Sequence, residues 1–399
     1  MSTVASTAAT GATTNDTAGR ASGTEIRPFR IAVPQSAIDD LRARLARTRY
    51  SPPVPSDGAQ AADYGVGNDR VGRLIDYWQT GYDWRAWEAK INSFPQFLTE
   101  IDGQTIHFLH IRSTEPDALP LLLTHGWPGS IVEFLDVIGP LTDPRAHGGD
   151  PASAFDVVIP SLPGFGFSGP AETAGWGTTR TAATWAELMR RLGYRRYGAA
   201  GNDAGSMISP EVGRTDPAHV VGVHVTQIFS FPTGDPAEFE NLSADEAAGL
   251  QTLQWFWDKK GAFNILHSQQ PQTLAHALSD SPAGLLGWNS QLFDDDLDDD
   301  FVLTNTSIYW FTNTGGSSIR FYYEDAQRKQ SAAIEPTTVP LGLCSASTGD
   351  FGSIRRFADR DHRNIRSWHV HDNVHGHYAA HQAPGVLVDD IREFYRDLR

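Results

Sequence analysis

The chain has 399 residues, 40% of them hydrophobic, and a formal net charge of −16. That is enough apolar sequence for one large core with an accessory domain, which excludes a disordered or fibrous protein. The acidic balance argues against nucleic acid or an anionic membrane surface as a partner, because phosphate contacts need clustered Lys and Arg.

In chain order, residues 1–25 are small and polar and read as a disordered tail without the apolar stretch of a signal peptide. Residues 26–95 form a helical extension: Ile38, Leu41 and Leu45 recur at helical spacing over Gln35 to Arg47, and Val71 to Thr80 and Trp84 to Asn92 read as two further helices. From Phe97 onward short β-prone runs alternate with helical ones, the pattern of a mostly parallel sheet with helices on both faces. The strands expected are Ile106 to Ile111, Pro120 to Thr124, Phe155 to Pro160, Tyr197 to Ala200 and Val220 to Thr226. A helix over Arg180 to Leu192 fits between two of them, with Thr179 as its cap. After Gln227 the alternation stops, and strands resume only at Pro340 to Ser345 and Trp368 to Val370. The layout is therefore a core of residues 96–228 and 336–399 interrupted by a helical cap domain, 229–335, with a last helix over Pro384 to Leu398. No run of about 18 apolar residues is present, so no membrane span is expected. The single cysteine, Cys344, rules out an internal disulfide framework and suits a reducing interior, which makes the cytoplasm the expected location.

The chemistry centres on Gly201-Asn202-Asp203-Ala204-Gly205, where an apolar strand runs through Gly-x-Asp-x-Gly into a helical pattern. A nucleophile elbow has this form, usually with Ser at its centre, and its glycines let strand and helix crowd together. A carboxylate there can attack an electrophilic carbon and form an ester that water later hydrolyses. Taken alone, Asp203 reads equally well as a helix cap. Three features in the right order favour the nucleophile. Upstream, His125-Gly126-Trp127-Pro128-Gly129-Ser130 follows a strand, so the NH groups of Trp127 and Ala204 are candidates for an oxyanion hole. Downstream come Asp350, after the penultimate strand, and His377, before the last helix. A histidine there can activate water, and an acid can orient it. The order nucleophile, acid, histidine is that of the α/β-hydrolase fold.

Two other clusters read as structural. In the histidine run His369, His371, His375, His377 and His381, strand alternation puts His369 and His371 on one face and leaves the others in a loop, whereas a metal site needs ligands fixed by a second shell and usually a carboxylate or Cys partner, so none is expected. The acidic run Asp294 to Asp300 lacks the turn Gly and terminal Glu of a calcium loop and reads as a solvated loop.

Several motifs together resemble the epoxide hydrolases, in particular the microsomal-type branch, from about Ile26 to the C-terminus. They are Phe94-Pro95-Gln96-Phe97, His125 to Ser130, Pro160-Ser161-Leu162-Pro163-Gly164-Phe165-Gly166-Phe167-Ser168, Ser281-Pro282-Ala283-Gly284 and Arg320-Phe321-Tyr322-Tyr323-Glu324. The resemblance implies Asp203 as nucleophile, His377 as general base, Asp350 as its orienting acid and Tyr322 as the phenol that donates to the opening oxygen. It implies an epoxide and water as the only partners, with no cofactor; the oligomeric state is open, a homodimer included. The sequence departs from the family at two places. Phe263 stands where a second tyrosine is usual, leaving Tyr322 alone or assisted by Tyr309, Tyr323 or His267. Ala204 replaces a common Trp, widening the site toward a bulky or polycyclic epoxide such as secondary metabolism supplies. Trp255, Phe256, Trp257 and Trp288 are read mainly as core, with some, Trp255 and Phe263 among them, lining an apolar pocket. A haloalkane dehalogenase, with the same Asp and His, and a non-hydrolytic binding or cyclase-like relative are the competing readings.

Overall fold

The computed structural model describes residues 24–54, 64–329, 335–348, 351–375 and 377–399. The tail expected over residues 1–25 lies almost wholly outside them. Among the described residues nine strands form one sheet. They are β1 (Arg27–Phe29), β2 (Gln96–Ile101), β3 (Gln104–Ile111), β4 (Leu119–Thr124), β5 (Phe155–Pro160), β6 (Tyr197–Gly201), β7 (Val220–Val225), β8 (Leu341–Thr348) and β9 (Ile365–His375). Their spatial order is β1-β2-β3-β5-β4-β6-β7-β8-β9. The first four are antiparallel neighbours, and from β5 onward every pairing is parallel. The sheet carries helices on both faces, so β4, β5 and β6 are nearly continuous apolar runs with almost every residue buried. This is the α/β-hydrolase fold.

Sequence periodicity misses β1 and β2. Three residues are too few to show alternation, and β2 lies within a segment assigned to the boundary of the helical extension. The extension therefore adds the sheet's edge strand as well as helices. The helix expected after Thr179 spans Thr178–Arg191 with Gly177 at its N-cap, so Thr179 sits inside the first turn and does not cap. The buried Asp325 carboxylate takes over that task from a distance, accepting from the Thr178 NH at 2.8 Å and the Thr178 hydroxyl at 2.5 Å.

Between β7 and β8 the chain makes a series of helices, among them Ala244–Lys259, Ala262–Gln269, Asp299–Phe311 and Arg320–Lys329. Helix Asp299–Phe311 is buried on nearly all sides, as a helix enclosed between two layers must be. On one side Trp78 Nε1 donates to Ser307 at 3.0 Å and Tyr82 shares a hydrogen bond with Thr304 at 3.0 Å, fastening the N-terminal extension. On the other, Asn305 accepts from Ser130 at 2.6 Å and the Tyr309 hydroxyl donates to the Gly129 carbonyl at 2.7 Å. The insertion thus grips the Gly126–Ser130 loop.

The acidic run is not simply solvated. Asp298 caps helix Asp299–Phe311 through the Phe301 NH at 2.8 Å, Asp300 accepts from Tyr77 and Trp87, and Asp295 and Asp299 pair with Arg70 and Arg73 of the extension. Three of these carboxylates, Asp295, Asp299 and Asp300, thus join the insertion to the N-terminal extension.

Candidate active site

β6 ends at Gly201 and helix Ala204–Thr215 begins three residues later. The turn is tight enough to force Asp203 to φ 51° and ψ −118°, a region that costs a non-glycine residue about 1–3 kcal/mol. Close approach dictates the neighbouring glycines. A Cβ on Gly205 would lie 1.9 Å from the Thr124 carbonyl oxygen, and one on Gly126 would lie 2.1 Å from Asp203 Oδ1. The Asp203 side chain makes no capping hydrogen bond to its helix. Instead Oδ1 accepts from the Trp127 NH at 2.8 Å. The helix-cap reading of Asp203 is therefore set aside, and Ala204, the first helical residue, is buried beside it.

His377 follows β9 and precedes the short helix Ala379–Gln382. Its Nε2 lies 3.7 Å from Asp203 Oδ2, with both side chains mostly enclosed. Its backbone NH points to Asp294 at 3.4 Å. Asp350 lies outside the described residues, two positions past the end of β8.

Asp203 and His377 sit in a cavity of about 390 Å³ between the sheet and the inserted helices. Among the described residues its walls are chiefly aromatic: Phe229, Phe231, Trp255, Phe256, Trp257, Phe263, Phe321, Tyr322 and Phe351, together with Ala204. Trp255, half exposed, reaches both the cavity and solvent. Trp255, Phe256 and Trp257, read mainly as core, thus line the cavity, whereas Trp288 does not.

A family profile described as "Epoxide hydrolase N terminus" matches residues 26–134, and one described as "alpha/beta hydrolase fold" matches residues 120–272. A Stigmatella aurantiaca protein whose name provisionally gives the same function is 40% identical, over 94% of this chain and 86% of its own. Juvenile hormone epoxide hydrolase 1 of Ctenocephalides felis is 31% identical over 93% and 87%. The chain belongs to the epoxide hydrolases. The Aspergillus niger epoxide hydrolase superposes with a TM-score of 0.83 at 30% identity, covering 94% of this chain and 97% of that one. The protein is thus a hydrolase of epoxides, and the dehalogenase and non-catalytic readings give way.

Within this epoxide hydrolase the tyrosines separate by helical phase. Tyr322 lines the cavity, its ring edge-on to Trp127 with centroids 6.1 Å apart. Burial, with the nearby Asp203 charge, holds its phenol well above the usual range and therefore protonated. Tyr323, one residue on and about 100° around the helix, is exposed and does not line the cavity. Tyr309 is absent from the lining as well, its hydroxyl committed to Gly129. Phe263 does line the cavity, stacked on Trp127 at 5.8 Å and edge-on to Tyr322 at 5.9 Å. His267 lies behind this aromatic group: fully buried, it accepts from Trp288 Nε1 at 2.9 Å, and burial lowers its pKa to about 3, so it is neutral. Tyr309, Tyr323 and His267 therefore do not supply a second donor to the cavity, and Tyr322 is the phenol that reaches it.

One residue escaped the sequence reading. Glu133, on the turn Ile131–Phe134 after the Trp127 loop, is almost wholly buried. Burial pushes its carboxyl up to about 8 against the opposing influence of His377 and the Asn202 amide, with Asp203 adding to the rise. The Asn202 oxygen is taken by Thr226 at 2.7 Å, which turns the amide nitrogen toward Glu133. A neutral carboxylic acid thus stands near Asp203 and His377. Its signal in the sequence was a lone acid in the otherwise apolar run Ile131-Val132-Glu133-Phe134-Leu135.

Proposed function

We propose that the enzyme opens its epoxide by direct attack of Asp203. A carboxylate oxygen bonds to one epoxide carbon while that carbon's C–O bond breaks, and the phenol of Tyr322 gives its proton to the departing alkoxide. The product is a hydroxyalkyl ester of Asp203. His377 Nε2 then removes a proton from a water that attacks the ester carbonyl, and the oxyanion is held by the NH groups of Trp127 and Ala204. Collapse releases the vicinal diol, with the proton on His377 returned to its oxygen; the second water proton passes from the Asp203 acid to the Tyr322 phenolate, which leaves one water-derived oxygen in the Asp203 carboxylate. Asp350 serves as the acid that orients His377, and Glu133 is a neutral neighbour that spares the site a second negative charge.

The observation that carries this reading is the Asp203 carboxylate, presented at positive φ in the cavity, 3.7 Å from His377 Nε2. Single turnover of styrene oxide in ¹⁸O-water, followed by digestion, tests it: the peptide containing Asp203 gains one label. Label found only in the diol would mean direct attack by water and would overturn it.

The cavity also supports a substrate class. Its aromatic walls and the small Ala204 beside the nucleophile suit a bulky aryl or polycyclic epoxide. Among the described residues the lining carboxylates Asp203, Asp294 and Asp325 face a single lysine, Lys260, which disfavours anionic substrates. A panel of neutral aryl epoxides of rising size should show kcat/KM holding or rising with ring count, whereas a preference for short aliphatic epoxides would count against this assignment. An intracellular role in secondary metabolism accords with such a substrate.

A further inference from the structure

A second group of titratable side chains lies on the face of the sheet covered by helix Pro384–Tyr395, apart from the residues that line the catalytic cavity. At its centre is Asp390, whose side chain is 3% exposed. Its Oδ1 is held by His224 of β7 at 2.8 Å. Its Oδ2 faces two imidazoles of β9, His369 Nδ1 at 2.6 Å and His371 Nε2 at 3.4 Å. Alternation along β9 puts both histidines on one face, and Cys344, the neighbour of His369 across β8 and β9, joins them from below. One ligand atom each from Cys344, His371 and Asp390 lie within 4.8 Å of one another.

One imidazole satisfies one oxygen of a buried carboxylate, and His224 does so for Oδ1. Two more imidazoles and a thiol on the remaining oxygen form a donor set of another kind: sulfur, nitrogen and carboxylate oxygen converging from three elements. This is the ligand chemistry of zinc-class ions, with the buried His224–Asp390 pair as the outer partner that orients the ligating carboxylate. The half-exposed rings of His369 and His371 leave a path for an ion and room to turn. Along the chain His369 and His371 share only a strand face; the fold brings a thiol and a buried carboxylate to them from other segments.

We propose that Cys344 Sγ, His371 Nε2 and Asp390 Oδ2, with His369 as fourth donor, bind a divalent zinc-class cation. Binding exchanges the thiol proton and the imidazole hydrogen bonds for metal–ligand bonds. The ion ties β8, β9 and helix Pro384–Tyr395 together. Because β9 ends two residues before His377, the site braces the strand that delivers the general base without touching the reaction.

The test uses the full chain, stripped with a chelator and titrated with Co²⁺ and Zn²⁺. One Co²⁺ per chain should bind with an intense near-ultraviolet thiolate band, which can come only from Cys344, the single cysteine. Zn²⁺ should displace it, raise Tm by several degrees through mass action and slow alkylation of Cys344. C344S and H371A should each weaken Zn²⁺ binding at least about tenfold, while H276A, removing an exposed histidine elsewhere, leaves it unchanged. The wild-type cobalt spectrum decides the matter even if a variant fails to fold. Binding without the thiolate band, no stoichiometric binding, or equal loss in H276A would overturn the site.

Discussion

Asp203 and Asp390 are both enclosed carboxylates facing histidine, yet their surroundings give them opposite characters. Asp203 sits on a strained turn; one oxygen takes a backbone NH and the other is 3.7 Å from His377, too far for a hydrogen bond. It faces a cavity. Asp390 sits in a regular helix and is surrounded at hydrogen-bonding distance by His224 and His369. Burial raises its pKa, but His224 and His369 more than offset that and hold it near 2. The same residue types thus serve opposite ends: a strained turn aims Asp203 into a cavity, whereas a regular helix buries Asp390 among imidazoles.

The largest expected effect is in D203N, whose kcat should fall about 10⁴-fold or more with the fold intact. A similar loss in D390N, with unchanged circular dichroism, would erase the distinction between the two sites. H377Q should fall next, by about 10³-fold in steady state, but with a retained burst as the Asp203 ester accumulates; loss of the burst would place His377 in the first step instead. Y322F should slow ring opening about 10²-fold. F263Y should then raise turnover several-fold, since no other described phenol lines the cavity. No change in F263Y would show that one donor suffices.

The remaining predictions concern stability. D390A leaves buried His224 without its partner and should cost about 3–5 kcal/mol in denaturant unfolding. Because the folded pKa of Asp390 is depressed, its contribution is present above the ordinary carboxylate value and is lost as pH falls through about 2. The wild type should lose its advantage over D390A across that window. Glu133 has the opposite sign: its folded pKa is raised to about 8, so its neutral form is compatible with the fold below the unfolded value, and stability is lost as pH rises toward 8, by about 1.4 kcal/mol per pH unit. E133Q should therefore gain on the wild type in Tm between pH 5 and 8. A constant difference would mean that Glu133 is ionised throughout.

Legibility in the sequence followed locality. The elbow, the Trp127 loop and the position of His377 are readable because strand, glycine and helix signals lie within a few residues of each candidate group. Tyr322 and Tyr323 differ only in helical phase relative to a cavity formed by other segments, and Tyr309 is claimed by a carbonyl 180 residues away. Glu133 is one acid in an apolar run; burial raises its pKa, with Asp203 adding to the rise and His377 and Asn202 opposing it, and all three of those groups are remote in sequence.

By itself, the sequence determined the α/β-hydrolase architecture and the turn that presents Asp203, because hydrophobic periodicity and steric demand on glycine act over short stretches of chain. Only the tertiary structure decided which phenol reaches the cavity, how the acidic loop is spent and what gathers around Asp390. Those outcomes depend on distances between groups tens to hundreds of residues apart, and burial and charge act through space, whatever the separation along the chain.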